Sequence, residues 1–562
     1  MLRNGRETST RGASASSRSL ASCALVLLAL AAFASYTSRT PRVARAQETK
    51  QAPSSSSTQP ATRGLTAQER RGRAIYLRGE STSGREILAT VGELEVPSST
   101  VTCAGCHGAR GEGKTEGGVT AGDLTWANLT KPYGHTHPTG RKHGPFDEAS
   151  FTRALTEGTD PSGNTMLTAM PRFKMSPEDT ADLLAYLKGI EYDRDPGLTN
   201  DSIRVGTLLP SKGSLAEVGA AMRDVLTAFF DDLNGKGGIY NRKVELRVAE
   251  TGGDAASTAD AARRLVSDGQ AFALVGGLSA GADKELVALT RELEVPFVGP
   301  STLLPQTDVG ANRYTFYLLS GAREQARALL GFEAQRRPLK DSRVAVVYTN
   351  GEVAEAAAAA VEEECKKSGC GAFKKSPFER AKFDAKALVK TLKGSDAVFF
   401  LGSGAGEETA FINEAEAEGW RPDTFLLGVL AGRGVAESVP AGFEGRVFLS
   451  YPTIPTDLTP EGRAELGALI AKYKFPARHV AAQLSALAAA KILTEGLQRG
   501  GKDLSREKLV TSLEGLYDFE TGLTPRITFG PNRRVGAAGA YIVTVDTKRK
   551  EFVPTGDWLK VN

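Results

Sequence analysis

Two cysteines three positions apart with a histidine directly behind the second, Cys103-Ala104-Gly105-Cys106-His107, form the strongest chemical signal in the chain. A thiol can add to a vinyl group. Two thiols at this spacing can tether both vinyls of one porphyrin, which leaves His107 placed to give iron an axial nitrogen. This is the attachment pattern of a c-type haem. Zinc is one competing use of such ligands, but a structural zinc site wants four, and no second Cys or Cys/His pair lies nearby at suitable spacing. A redox disulfide of the thioredoxin kind would sit in a βαβ pattern, which the surrounding sequence lacks. The spacing predicts one covalent haem c, held by Cys103 and Cys106, with His107 on the iron.

The sixth iron ligand decides what such a haem does. Downstream runs Thr168-Ala169-Met170-Pro171-Arg172-Phe173-Lys174-Met175-Ser176-Pro177, followed by an apolar helical pattern that ends at Gly189. Over residues 65–190 this resembles class I cytochrome c, where a Met-Pro ahead of the last helix supplies a thioether. The resemblance implies that Met170 is the second axial ligand and that the iron serves electron transfer. Met166 and Met175 compete for that role and read as packing residues. His135, His137 and His143, in a loop rich in Gly, Pro and Thr, read as solvated side chains. Thr66-Ala67-Gln68-Glu69 is a capping box that opens the first helix. Ser176 and Pro177 open the last one. In cytochromes c these two helices cross closely, and Gly72 against Tyr186 is the expected crossing. Residues 79–100 are an excursion that the shortest cytochromes lack.

The 562 residues are enough for three or four domain-sized units, at an ordinary 41% hydrophobic and 24% charged. The N-terminus carries Arg3, Arg6, Arg11 and Arg18 ahead of an apolar run, Leu20 to Ala34, the pattern of a secretory signal. Small-x-small cleavage sites end at Ala34 and Ala46. Cutting after Ala34 removes four Arg and one Glu and turns the formal +4 into +1; cutting after Ala46 removes seven Arg and one Glu and leaves −2. The mature chain is near neutral, and nothing in it calls for nucleic acid. The expected organisation is a signal peptide over 1–46, which would serve as a membrane anchor if uncleaved, then a disordered linker over 47–64. A cytochrome domain over 65–190 and a polar linker over 191–202 follow. The location implied is periplasmic.

From Ile203 strands alternate with helix-length stretches in two sets, the signature of parallel sheets built from βαβ units. Two glycine-rich turns, Gly276–Gly281 and Gly402–Glu407, miss the nucleotide-binding spacing and lack a Walker lysine. The segments "VGTLLPSKG", "DDLNGKGGIYNRKVEL" and "ALVGGLSAGADKELVALTRELEVPFVGPST" give residues 203–562 a resemblance to type I periplasmic solute-binding proteins of the leucine/isoleucine/valine class. The whole is then multi-domain: an all-α cytochrome c domain followed by an α/β two-lobed periplasmic-binding-protein fold. The resemblance implies two lobes joined by crossovers near 320, 450 and 525, closing on a small molecule. Ligands of such sheets bind beyond the carboxyl ends of the strands. Ser279, read as the start of a helix, and Ser301 and Thr302 are the expected polar contacts, with Tyr451 as a cleft wall. Cys365 and Cys370, left over after the haem and the signal, are expected to pair in an oxidising compartment.

No nucleophile–base pair, carboxylate dyad or flavin site is legible, so the chain reads as a binding protein and not an enzyme. Its expected partners are a small solute, a redox protein and an ABC permease. The alternative reading is a transporter receptor whose haem domain docks or senses. The positions where amino-acid-binding members carry acids for an ammonium group fall at Ser320-Gly321-Ala322 and Val429-Leu430-Ala431, and neither has one. Glu324 is expected to turn along its helix. A buried ammonium without a partner costs several kcal/mol, so the expected ligand is an organic acid or neutral polar solute with an apolar body against Leu278, Leu303 and Leu430.

Overall fold

Thr66 caps the first helix, Ala67–Arg78, accepting from the Glu69 amide while Glu69 reaches back to the Thr66 amide. That helix crosses the last helix of its domain, Pro177–Gly189, at Gly72. A Cβ there would fall 1.9 Å from the Asp182 carbonyl oxygen and 2.7 Å from Tyr186 Cβ, so only glycine permits the approach. This computed structural model describes residues 65–562 apart from 117–118, 138–139, 191–192, 194, 309, 311, 405, 433, 503 and 562. The signal and linker expected over 1–64 lie outside the described residues.

Short strands supplement the helices of this first domain. The excursion at 79–100 contains a hairpin, Leu88–Val91 with Leu94–Pro97. Its first strand pairs antiparallel with Arg172–Lys174, the segment just after Met170-Pro171. Ile75, Tyr76, Phe151, Phe173, Leu183 and Tyr186 make up much of the buried core.

The remainder forms two sheets. The first lobe has six parallel strands in the order Val535–Ala537, Thr315–Leu319, Phe297–Val298, Ala273–Val275, Ser202–Pro210, Lys243–Thr251. The second runs Ala372–Phe378, Arg343–Thr349, Ala397–Leu401, Asp423–Leu427, Val447–Tyr451 in parallel, and closes with antiparallel Gly539–Asp546 and Glu551–Pro554. The central strands of both sheets are buried along their length, as expected where helices cover both faces. The chain passes between lobes after Leu319, after Tyr451 and at Ala538. The last passage lies later than the expected residue 525, because Val535–Ala537 still belongs to the first sheet. Cys365 and Cys370 are disulfide-bonded, Cα to Cα 5.1 Å, where the helix Glu352–Ser368 ends at left-handed Gly369.

Residues 62–562 pack as one compact unit, and a buried ionic network joins the cytochrome to the first lobe. Arg73, on the first helix, reaches Asp193 at 2.8 Å and Asp195 at 3.5 Å and pairs with Glu294 of the first lobe. Arg78 meets the same Glu294 at 3.1 Å. Asp195 also accepts from the Arg506 amide at 2.7 Å, while the Arg506 guanidinium donates to the carbonyls of Ala271, Phe272 and Leu293. The segment 191–202, expected as a polar linker, is thus part of an interface. Gly197 lies so close to the lobe that a Cβ would sit 2.1 Å from the Gln270 oxygen.

Candidate functional site

The Cys103-His107 motif forms one short helix, Cys103–His107, capped by Thr102, whose hydroxyl accepts from the Gly105 amide at 3.2 Å. That turn sets both thiols and the imidazole on one local scaffold. His107 is 8% exposed. Its Nδ1 donates to the Gly122 carbonyl at 2.7 Å, which fixes the tautomer and leaves Nε2 as the nitrogen with a lone pair. Burial lowers the imidazole below its usual range, so it stays neutral, the form a metal requires. The first helix supports this turn from behind: Tyr76 Oη donates to the Gly108 carbonyl at 2.7 Å. Burial also pushes the Cys103 thiol up to about 12, the reverse of the acidic thiolate that disulfide exchange needs.

Met170 lies on a turn, its amide donating to the Leu167 carbonyl at 3.1 Å. Cys103, Leu124, Trp126, Met166, Met170 and Met175 remain only partly buried at the edge of the same apolar core. Tethering thiols, a neutral imidazole with an available nitrogen, and an incompletely covered apolar edge with thioethers fit a haem. The three loop histidines are not solvated separately as expected. The pairing of His135 with His143 brings the rings within 5.0–6.3 Å of one another, and His143 Nε2 lies 2.9 Å from His137 Nε2. Arg141 donates to His137 and is held by Asp160 at 2.6 Å. Among the described residues, no group of three or more His, Cys, Asp or Glu side chains is arranged to hold a metal ion.

In the clamp, the loops after two neighbouring strands meet. The Ser279 amide donates to the Ser301 oxygen at 3.3 Å, and the Ser301 amide donates to the Gly277 oxygen at 2.9 Å. Ser301 Oγ is 3.1 Å from Ser485 Oγ. Ser279 does not begin the helix. Gly276, Gly277, Ala280 and Gly281 all take left-handed φ, and the helix Asp283–Glu292 starts four residues later. Ser279 is instead buried, at 2% exposure.

Sequence reasoning missed Asp283. It is nearly buried beside the hydroxyls of Thr302 and Ser279; burial pushes its carboxyl up and those hydroxyls pull it down. Only the meeting of two distant loops reveals this, although an acid in the first turn of a helix was a readable signal.

On the second lobe, Tyr451 lies over Gly428, where a Cβ would come 2.3 Å from the ring. Glu324 accepts from the Gly321 amide at 3.0 Å, so it is spent on its own helix. Leu278, Leu303 and Leu430 keep partial exposure. Lys284 and Glu352 form an ion pair between the lobes at 2.7 Å. The Gly402–Glu407 turn offers nothing to a phosphate, because the buried Glu408 carboxylate accepts from the Gly404 amide at 3.2 Å.

Residues 202–550 match the family described as periplasmic binding protein, and residues 97–191 match cytochrome c. The Leu/Ile/Val-binding protein BraC3 of Rhizobium johnstonii is 25% identical over 349 residues, covering 59% of this chain and 89% of its own. Leu/Ile/Val-binding protein homolog 3 of Brucella melitensis is 24% identical over 328 residues, covering 57% of this chain and 85% of its own. A solved branched-chain amino acid ABC transporter structure from Thermus thermophilus with bound valine aligns with 64% of this chain and 97% of its own. The TM-score is 0.51 at 18% identity, a likeness of fold.

Proposed function

We propose that this chain, which belongs to the periplasmic binding protein family and carries a cytochrome c domain ahead of the clamp, is a periplasmic electron-transfer protein that also binds a small solute. The observation behind the redox half is the His107 arrangement: a neutral, buried imidazole with Nδ1 on a carbonyl, one residue beyond the second of two thiols. Cys103 and Cys106 would hold one haem covalently, and His107 and Met170 would take its axial positions. A haem so held supplies one-electron redox chemistry with no coordination position open to small molecules. The residues here orient the imidazole, bury it and keep it unprotonated. Met170→Ala should abolish the weak far-red charge-transfer band of ferric iron bound to a thioether. Persistence of that band would transfer the role to Met166 or Met175.

For the clamp, Ser279, Ser301 and Thr302 on the first lobe face the polar end of a solute, with Tyr451 and Leu430 on the second. The Asp283 carboxyl beside Ser279 and Thr302 opposes an anion, so among organic acids and neutral polar solutes the neutral head is favoured. No carboxylate stands at Ser320–Ala322 or Val429–Ala431 to receive an ammonium group. Calorimetry should show no micromolar binding of leucine, valine or glutamate. Such binding, abolished by Asp283→Asn, would make Asp283 the ammonium acceptor and overturn this reading.

The Leu/Ile/Val-binding relatives favour a second reading, an ABC-transporter receptor whose haem domain senses or docks. If redox state and solute are coupled, the solute shifts the haem potential and the potential shifts solute affinity by the same factor. Potentiometric titration with and without solute separates the two readings.

A further inference from the structure

The residue after Met170-Pro171 is Arg172, and its surroundings are unusual. Its guanidinium donates to the Met170 carbonyl and, at 3.1 Å, to the Met166 carbonyl, so one side chain spans the loop that carries both thioethers. No described carboxylate pairs with it. A half-buried cation is thus committed to two loop carbonyls, where charge-assisted bonds are stronger than neutral ones. The loop makes room for it at one place. Gly158 has φ +72°, and a Cβ there would fall 1.7 Å from Arg172 Nε. The Gly158 carbonyl in turn accepts from the Met166 amide at 2.8 Å.

Arg172 is itself held in place by the hairpin in the excursion between the first helix and the Cys103-His107 turn. Thr90 lies opposite Arg172, Ala89 opposite Phe173 and Leu88 opposite Lys174. Ala89 is fully buried and Phe173 nearly so, which anchors this strand pair in the core. The loop from residue 157 to 171 contains no helix and only the isolated bridge Thr159–Thr165. Its downstream end is therefore fixed by the strand that the hairpin templates.

We propose that the Leu88–Pro97 hairpin and Arg172 form a clasp that holds the Met170 sulfur at the sixth coordination position of the haem iron. The excursion then sets how firmly the thioether stays bound. Arg172 is a positioning residue: it acts on the iron through the Met170 loop. This inference rests on Met170 ligation, which the Met170→Ala test examines separately.

The test uses the full-length ferric holoprotein and imidazole as a competitor for the Met170 position. Arg172→Met should weaken the far-red band, lower the midpoint potential and tighten imidazole binding by at least ~10-fold, the scale of removing a supporting partner of a metal ligand. Arg172→Lys keeps one donor and should recover part of the effect. Gly158→Ala retains Arg172 but displaces its guanidinium, and should reproduce the Arg172→Met phenotype while the clamp melts normally. An unchanged band, potential and imidazole affinity in Arg172→Met and Gly158→Ala would overturn the clasp, as would Arg172→Lys matching Arg172→Met in all three.

Discussion

The first lobe meets its neighbours through two interfaces of opposite construction. Toward the cytochrome it offers Glu294 and Arg506 to Arg73, Arg78, Asp193 and Asp195; Arg73, Asp195 and Arg506 are buried and the other three partly so. Glu294 even adopts a left-handed φ of 50°, a conformation a non-glycine residue takes up at a cost, and its carboxylate meets both arginines there. Toward the second lobe the ion pair Lys284–Glu352 leaves the two side chains 70% and 57% exposed. Buried charges that satisfy one another resist separation, since freeing one strands the rest in a poorly hydrated site. An exposed pair loses little when it parts. Charge therefore ties the cytochrome to the first lobe more firmly than the Lys284–Glu352 pair ties the two lobes to each other.

The comparison breaks most readily at Arg73. Arg73→Met leaves Asp193, Asp195 and Glu294 without their shared cation, a loss of about 3–5 kcal/mol for a buried network. Calorimetry should then resolve separate transitions for the cytochrome and the clamp, while the haem spectrum stays native. A single transition within about 1 kcal/mol of wild type would mean that the interface does not depend on this network.

Lowering pH sharpens the comparison with a smaller effect. Burial alone would raise Glu294, but Arg73 and Arg78 override it and hold its carboxyl below the usual range. Its contribution is present above the unfolded value of about 4.3 and is lost as pH falls through the lower folded value. Burial raises Asp195 instead, only partly offset by Arg73 and Arg506, so its contribution has the opposite slope. Docking of the cytochrome should therefore hold from neutrality to about pH 4 and fail below that. Proteolysis at residues 190–202 reports this. Glu294→Gln should be weaker at neutral pH and flatter with pH; an unchanged profile would remove Glu294 from the account.

The smallest effect belongs to the cleft. Lys284→Ala should leave the melting temperature unchanged within error and the cytochrome docked. A shift comparable to that of Arg73→Met would erase the distinction between the interfaces.

What could be read from the sequence follows the range of the contacts. The Cys103–His107 turn and the Thr66 and Ser176 caps rest on local spacing and were legible, and the Gly72 crossing followed from the resemblance to cytochrome c. The alternating strands and helices gave the two lobes. The Arg73–Glu294 pair spans 221 positions, so no window of sequence contains it, and Asp283 meets Thr302 only where the loops after two strands come together. Arg172 failed to show for another reason. It lies beside Met170, but its partner strand comes from an excursion with no periodic signal of its own. Ser279 was misplaced because left-handed φ at Ala280 and Gly281 delays the helix, and Ala280 has a side chain that normally avoids that region.

The disulfide has a consequence for biogenesis. Cys365 and Cys370 must be oxidised to reach the form seen here, whereas the haem attachment proposed above requires Cys103 and Cys106 to remain thiols until they meet the vinyl groups. Both pairs lie close in sequence, so an oxidant that closes the second can also close the first, and a closed Cys103–Cys106 bridge cannot form thioethers. Cys106 leaves the ribosome 259 residues ahead of Cys365, so the first pair is exposed to oxidant earlier and for longer. With haem attached as proposed, maturation of this chain needs reducing equivalents at one site and oxidising equivalents at another, in that order.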